Sequence, residues 1–398
     1  MGICTLCLVA CGGSGTTVTK ATTTSSLGGA GSFSTTTKAP TAGLATTGAV
    51  SAGGVSSVLP GMPPVLDPRD IYAADRPNEL SPVVRGFRSL VYVPNSLSNT
   101  VDVIDPVTYK IVEHFAVGAL PQHVVPAWDL KTLYVTNDDG NSLTPINPAT
   151  GQPGTPIPVE DPYNMYFTPD GKFAIVVAER LDRLDFRDPH TFKLVKSLPL
   201  DCAGIDHMDF SGNGRYLIAS CEFSGKIVKV DVKTQRVIGM QTLNGGNAKP
   251  QDVKVDPTGH MFYVADMIRG GVYIVDGDTF TVTGFVPTGR GAHGLYVSRD
   301  SKVLYVTNRD AGTISLLDFA TNTVTATWVI PGGSPDMGGV SADGTKLWIT
   351  GRYNGVVYVI DTTTGALLHT IAVGSGPHGL CVYPQPGRFS LGHTGVFR

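Results

Sequence analysis

Short apolar segments recur along most of this chain, each bounded by Gly, Pro, Asp, Asn or Ser. They read LVYVPN at 90–95, LYVTN at 133–137, AIVVA at 174–178, LIASC at 217–221, FYVAD at 262–266, LYVTN at 304–308 and LWITG at 347–351. Their length and their β-branched and aromatic content predict strands, and no stretch carries the 3.6-residue spacing of an amphipathic helix. Aligned on Tyr92, Tyr134, Ile175, Ile218, Tyr263, Tyr305 and Trp348, the segments follow one another at 42, 41, 43, 45, 42 and 43 residues. A period near 40 over seven units is the mark of a repeat architecture.

A second feature recurs once per unit: an apolar strand ending in Asp or Asn, with Thr three residues on. The pairs are Asp105/Thr108, Asn147/Thr150, Asp188/Thr191, Asp231/Thr234, Asp276/Thr279, Asp318/Thr321 and Asp361/Thr364. An Asp or Asn side chain at this place accepts backbone N–H groups just ahead of it and closes a turn. Between units lies a Gly- or Pro-rich loop leading into a further short strand, as in DPYNMYFTPDG at 161–171, GAHGLYVSRDS at 291–301 and GPHGLCVYP at 376–384. Four short antiparallel strands per unit make a propeller blade. The first unit lacks an inner strand before 90–95, whereas the last ends on an inner strand at 379–383. The expected fold is therefore all-β, a seven-bladed β-propeller closed by pairing the C-terminal inner strand with the first N-terminal strands, which removes free sheet edges.

The YVTN, YVPN, PHG and AHG segments and the Asp-x-x-Thr turns resemble the YVTN-repeat β-propellers of the YncE-like kind, over about 88–384. That resemblance implies the fold and leaves the activity open.

The flanks read differently. From Gly12 to Ser57, 37 of 46 residues are Gly, Ala, Ser or Thr, too few apolar groups to offset the entropy of ordering, so 12–60 is expected to be a disordered tether. Residues 1–11, MGICTLCLVAC, resemble the lipobox of bacterial lipoproteins, which implies that Cys11 carries a lipid. The expected location is accordingly extracytoplasmic and membrane-anchored, with the membrane met through that lipid alone. Residues 61–87, with five prolines, are expected to form an extended apron, and 385–398 a tail packed on the ring. A net charge of −3 without like-charge blocks argues against nucleic-acid binding, and a monomer is expected.

With the channel-mouth loops aligned, the polar positions are Gln122 and His123, Tyr163 and Asn164, Asp206 and His207, Gln251 and Asp252, His293 and Gly294, Asp336 and Met337, and His378 and Gly379. His123, His207, His293 and His378 invite a metal or cofactor reading. The preferred reading is hydrogen-bonded corners with no metal, since His123 and His207 sit one place later than the other two. Arg269, Arg309 and Arg352, each after a YVTN-type strand, together with Arg290, would suit a small anionic ligand. Asp266, Asp310 and Asp336 stand near enough in sequence to neutralise them. Cys202 and Cys221 end on one face of one blade and can reach a disulfide, while Cys381 is expected in the core.

No GxSxG, HExxH or Walker loop is present, and no catalytic residue is assigned. Glu179 and Glu222 could serve acid–base chemistry, but no fixed spacing singles them out. The function expected is a binding or scaffold module with its ligand or protein partner at the channel mouth. The alternatives are a lactonase-type hydrolase or isomerase at that mouth, and metal or cofactor handling for extracytoplasmic redox enzymes.

Overall fold

The computed structural model describes residues 58–398. Cys11, residues 1–11 and the tether as far as 57 lie outside the described residues. Val58 and Leu59 were expected to belong to that tether, yet Leu59 is buried and its N–H donates to the Asn213 carbonyl at 2.9 Å. Leu59 thus belongs with the ring.

Seven antiparallel sheets follow one another, numbered here as blades 1 to 7 in chain order. Blade 1 is built from Leu90–Asn95, Thr100–Asp105 and Lys110–Ala116, with Cys381–Tyr383 as its inner strand. Tyr92 pairs with Cys381 and Leu90 with Tyr383, so the chain closes on itself as the repeat register requires. The inner strands of blades 2 to 7 are Pro121–Pro126, Asn164–Phe167, Ile205–Phe210, Pro250–Val255, Ala292–Val297 and Pro335–Val340. Among the described residues the only helical turns are two three-residue segments, Glu222–Ser224 and Asn244–Gly246.

The core lies between neighbouring blades. Ile175, Val177 and Phe186 of blade 3 pack with Ile205, Met208 and Phe210 of blade 4, all at most 1% exposed. Both faces of each sheet are covered this way, which is why the second strands are apolar throughout rather than alternating.

The repeat letters have separate jobs. The Asp of each Asp-x-x-Thr accepts the Thr N–H at 2.7–3.2 Å in six blades, and Asn147 accepts Ala149 N–H at 2.9 Å in blade 2. The Asn closing YVPN and YVTN donates into the next strand: Asn137 to Thr144 at 2.9 Å, Asn308 to Ser315 at 3.0 Å, Asn95 to Asp102 at 2.9 Å. The hydroxyl before it caps an irregularity at the start of the inner strand. Thr136, Ser220, Thr307 and Thr350 accept the N–H of His123, His207, Gly294 and Met337 at 2.8–3.2 Å. Pairing skips there, between Pro121 and Val124, Ile205 and Met208, Ala292 and Leu295, and Pro335 and Gly338. In each of these blades two residues are left out of the ladder, free to aim their side chains at the channel.

The apron runs from blade to blade across the turns that follow the inner strands. Leu59 bonds at Asn213, Ile71 N–H donates to Pro257 O at 2.8 Å, Asn78 N–H to Ala342 O at 2.8 Å, and Leu80 bridges to Gly387. The tail packs along the inner edge of the ring and reaches the channel. Ser390–Gly392 and Val396–Phe397 add to the exposed edge of blade 3's short inner strand, with Gly392 opposite Tyr166. Ser390 Oγ donates to Pro126 O of blade 2 at 3.0 Å, and Arg398 pairs with Asp209 of blade 4 at 2.9 Å. The cause is an unpaired inner edge met by a buriable sequence: Phe389, Leu391, Val396 and Phe397 are all at most 4% exposed. Gly392 has φ +97°, and a Cβ there would lie 2.5 Å from Met165 O, so only glycine admits this approach.

Candidate functional site

The skipped positions at the starts of the inner strands sort the histidines into two neighbouring sets. His293, Asp336 and His378 occupy the first place of their pairs and meet one another. Asp336 is fully buried; its Oδ2 lies 2.7 Å from His378 Nδ1, and its Oδ1 lies 3.2 Å from His293 Nδ1 and 2.7 Å from Arg309 Nε. His293 Nδ1 also lies 3.2 Å from Met337 Sδ. Burial alone would push the Asp336 carboxyl up, but Arg309 first, then His293 and Arg352, hold it below the usual carboxylate value.

His123 and His207 occupy the second place and point deeper. Their ring centroids are 5.3 Å apart, and a fifth histidine, His393 of the tail, stands 5.3 Å from His123 and 4.8 Å from His207. His378 joins the two sets, 4.9 Å from His123. All five rings are at most 2% exposed. Burial pushes the His123 pKa down to about 3 and those of the other four well below the usual value.

His123 Nδ1 lies 3.0 Å from Tyr163 O and donates to it, since a carbonyl only accepts. The Nδ1 atoms of His207 and His393 both lie 3.0 Å from the side-chain amide of Asn164, and Tyr166 OH stands 3.3 Å from His207 Nδ1. The Nε2 atoms of His123, His207 and His393 are buried without a hydrogen-bond partner. Asp206 Oδ1 is 3.3 Å from His207 Nε2, and Asp252 Oδ2 is 3.9 Å from His393 Nε2.

Asp206 also belongs to a carboxyl group of three. One oxygen each of Glu179, Asp206 and Glu222 lies within 4.8 Å of the others. Glu179 and Glu222 each follow the end of a second strand, Ala174–Ala178 and Tyr216–Cys221, which places them on the mouth face. Burial, then the charge of Glu222, raises Glu179 to about 8, and burial raises Asp206 well above its ordinary range. Lys249 holds Glu222 at 2.7 Å.

The arginines expected around an anion are each engaged separately. Arg309 is taken by Asp336, and Arg269 lies over the Phe285 ring at 3.8 Å. Arg290 bonds Asp310 O at 3.4 Å and Arg352 bonds Ser96 Oγ at 3.4 Å. Cys202 and Cys221 form a disulfide with Cα atoms 6.0 Å apart, and Cys381 is free and buried.

Sequence reasoning missed His393, which lies outside the repeat. It also left Glu179 and Glu222 unassigned, since no motif links them to Asp206 across two adjacent blades. The only sequence signal for His393 was its place in an apolar, glycine-bearing tail that has no surface pattern.

Comparison with known proteins supports this architecture. Residues 79–387 match the family model described as YNCE-like beta-propeller. No curated protein matches the chain. Among solved structures, Kuenenia stuttgartiensis hydrazine synthase is similar with a TM-score of 0.60 at 19% identity, over 71% of this chain and 94% of that one. Dihydro-heme d1 dehydrogenase NirN, in complex with DHE, is similar at 0.57 and 15% identity, over 77% of each chain. A functionally unknown protein from Desulfotomaculum acetoxidans gives 0.62 at 17%, over 74% of this chain and 98% of that one. Likeness at these identities speaks to the fold alone.

Proposed function

This chain belongs to the YncE-like β-propeller family, and on that premise we propose that it is a binding module held outside the cytoplasmic membrane, taking a small ligand at the channel mouth. One observation carries the reading: the two ends of the channel are built differently. At the end beneath the inner strands the tail joins blade 3 and the apron meets it at Leu80 and Gly387, whereas the mouth end gathers the ionisable groups of six blades, Glu179, Asp206, Glu222, Arg309, Asp336 and the histidines among them. A binding module needs such an end, since buried polar groups cost free energy unless a partner satisfies them. The Arg309–Asp336 pairing takes up one anion-binding candidate, and the carboxyls and imidazoles gathered beside it favour a cationic ligand.

The ligand is also small. Neighbouring histidine centroids stand 4.8–6.4 Å apart, near ring contact, which admits an ion or a water molecule between them and not a planar macrocycle. The placement outside the membrane rests on the lipobox-like LVAC and on the Cys202–Cys221 disulfide, a bond that persists in oxidising compartments. The test pairs two measurements on the full chain. Cys11→Ser should abolish labelling by a radioactive fatty acid and move the protein from the membrane to the soluble fraction. Native mass spectrometry of the gently isolated chain should show a retained mass that Asp206→Ala together with Glu179→Ala removes. Soluble wild-type protein would overturn the anchor, and an unchanged retained mass would overturn the mouth.

A further inference from the structure

We propose that His123, His207 and His393 form a site for a divalent first-row transition metal, with Asp206, beside His207, as the fourth donor. The inference rests on the mouth being the ligand face, but it commits to a ligand class and to three histidines that the mouth test leaves intact.

Four observations converge on it. One ring nitrogen from each of the three histidines lies within 4.8 Å of the other two. Tetrahedral zinc bonds nitrogen at about 2.0–2.1 Å, which sets its ligand atoms roughly 3.3 Å apart, so a movement of about an ångström closes the triangle. The Nε2 of each ring is buried and has no hydrogen-bond partner, which is costly for a polar atom that water cannot reach. Both oxygens of Asp206 are likewise unpartnered and buried, and one stands 3.3 Å from His207 Nε2. Three imidazole nitrogens disfavour calcium and magnesium, which take oxygen ligands, and suit zinc, copper, nickel or cobalt.

The partners of the other ring nitrogens decide whether the lone pairs are available. His123 already donates Nδ1–H to Tyr163 O, the arrangement that leaves Nε2 free to bind a metal. Asn164 serves His207 and His393 together: its nitrogen faces both Nδ1 atoms, and its oxygen accepts Met165 N–H at 2.8 Å. Turning that amide by 180° forfeits the Met165 bond and presents an oxygen that accepts Nδ1–H from both rings, leaving both Nε2 atoms as lone pairs. Binding and the amide turn are therefore coupled, and a carboxylate at 164 would remove the need for the turn. Gly379 of blade 1 completes the fit, because a Cβ there would collide with the His123 ring.

The experiment titrates the chelator-treated full chain with Zn2+ by calorimetry, and with Co2+ by absorption, which reports nitrogen coordination directly. One equivalent is expected, with a Co2+ spectrum of tetrahedral type. His393→Gln and His123→Gln should each weaken Zn2+ at least a hundredfold, with thermal melts in chelator showing that each variant is folded. Asn164→Asp should bind at least as tightly as wild type and Asn164→Leu more than tenfold more weakly. The exposed His260→Ala and His114→Ala should change nothing. Stoichiometric zinc retained by both His393→Gln and His123→Gln, or lost with His260→Ala, would overturn the site. A chain that binds no zinc would overturn it too, while a retained native mass that depends on Asp206 and Glu179 would leave the mouth reading standing.

Discussion

Asp336→Ala removes the one carboxylate that Arg309, His293 and His378 share. The Arg309 side chain is only 10% exposed, so water cannot take over the lost partner. Stranding one charge of a buried pair costs about 3–5 kcal/mol. Unfolding entropy near 60 °C is about 2.1 cal/mol/K per residue, which for a body of roughly 340 residues gives ~0.7 kcal/mol/K. The variant should therefore melt about 4–7 °C below wild type by scanning calorimetry. In urea the midpoint should fall with the slope unchanged, since the same surface is exposed on unfolding. Arg309→Met combined with Asp336→Leu removes both charges and should recover most of the loss. The pH dependence has a definite sign. The folded-state pKa of Asp336 lies below 3.8, so its contribution is complete above pH 3.8 and is lost as pH falls through the lower folded value. A drop under about 1.5 °C for Asp336→Ala, or a double variant no more stable than the single, would refute the reasoning.

Three other expectations follow from the same structure. Reduction of Cys202–Cys221, or the Cys202→Ala/Cys221→Ala variant, frees a 19-residue separation and should cost about 3 kcal/mol in denaturant titrations done with and without reductant. Asp75 in the apron is raised to about 7, by burial first, against the opposing charges of Arg299 and Arg398. An acid with a raised folded pKa costs stability progressively from pH 3.8 to about 7, so Asp75→Asn should stabilise by up to about 4 kcal/mol at pH 8 and by little at pH 4, as melts across that range would show. Deleting 385–398 strips the added strand from blade 3 and the Arg398–Asp209 pair, and should lower the melting temperature by more than Asp336→Ala does.

The ring was legible because its information is local and repeated. Each Asp-x-x-Thr closes its own turn, and each YVTN-type strand supplies a hydroxyl and an amide that bond within the same blade. Closure was legible because it needs only a count of strands at the two ends. The channel was legible in composition but not in arrangement. His123 and His378 are 255 positions apart in sequence and 4.9 Å apart in space, a neighbourhood made by closing the ring. The one-residue offset between His123 or His207 and His293 or His378 does have a structural meaning: it divides the rings between the two places that the ladder skips. His393 was illegible for a different reason. Nothing within 385–398 encodes which inner edge it will join, because that edge exists only once blade 3 has formed with an inner strand of four residues. The arginines show the converse. Their spacing is regular, yet Phe285, Ser96 and Asp336 take them up one by one, as side-chain reach and not repeat position dictates.

The central claim is that the imidazole cluster at the heart of the ring is built for a metal ion. X-ray diffraction from zinc-loaded crystals, recorded on both sides of the zinc absorption edge, addresses it directly. A single strong anomalous peak is expected within bonding distance of His123, His207 and His393, with Asp206 turned toward it. A peak lying instead between His293, His378 and Asp336, or only at surface histidines, or no peak at all, would contradict it.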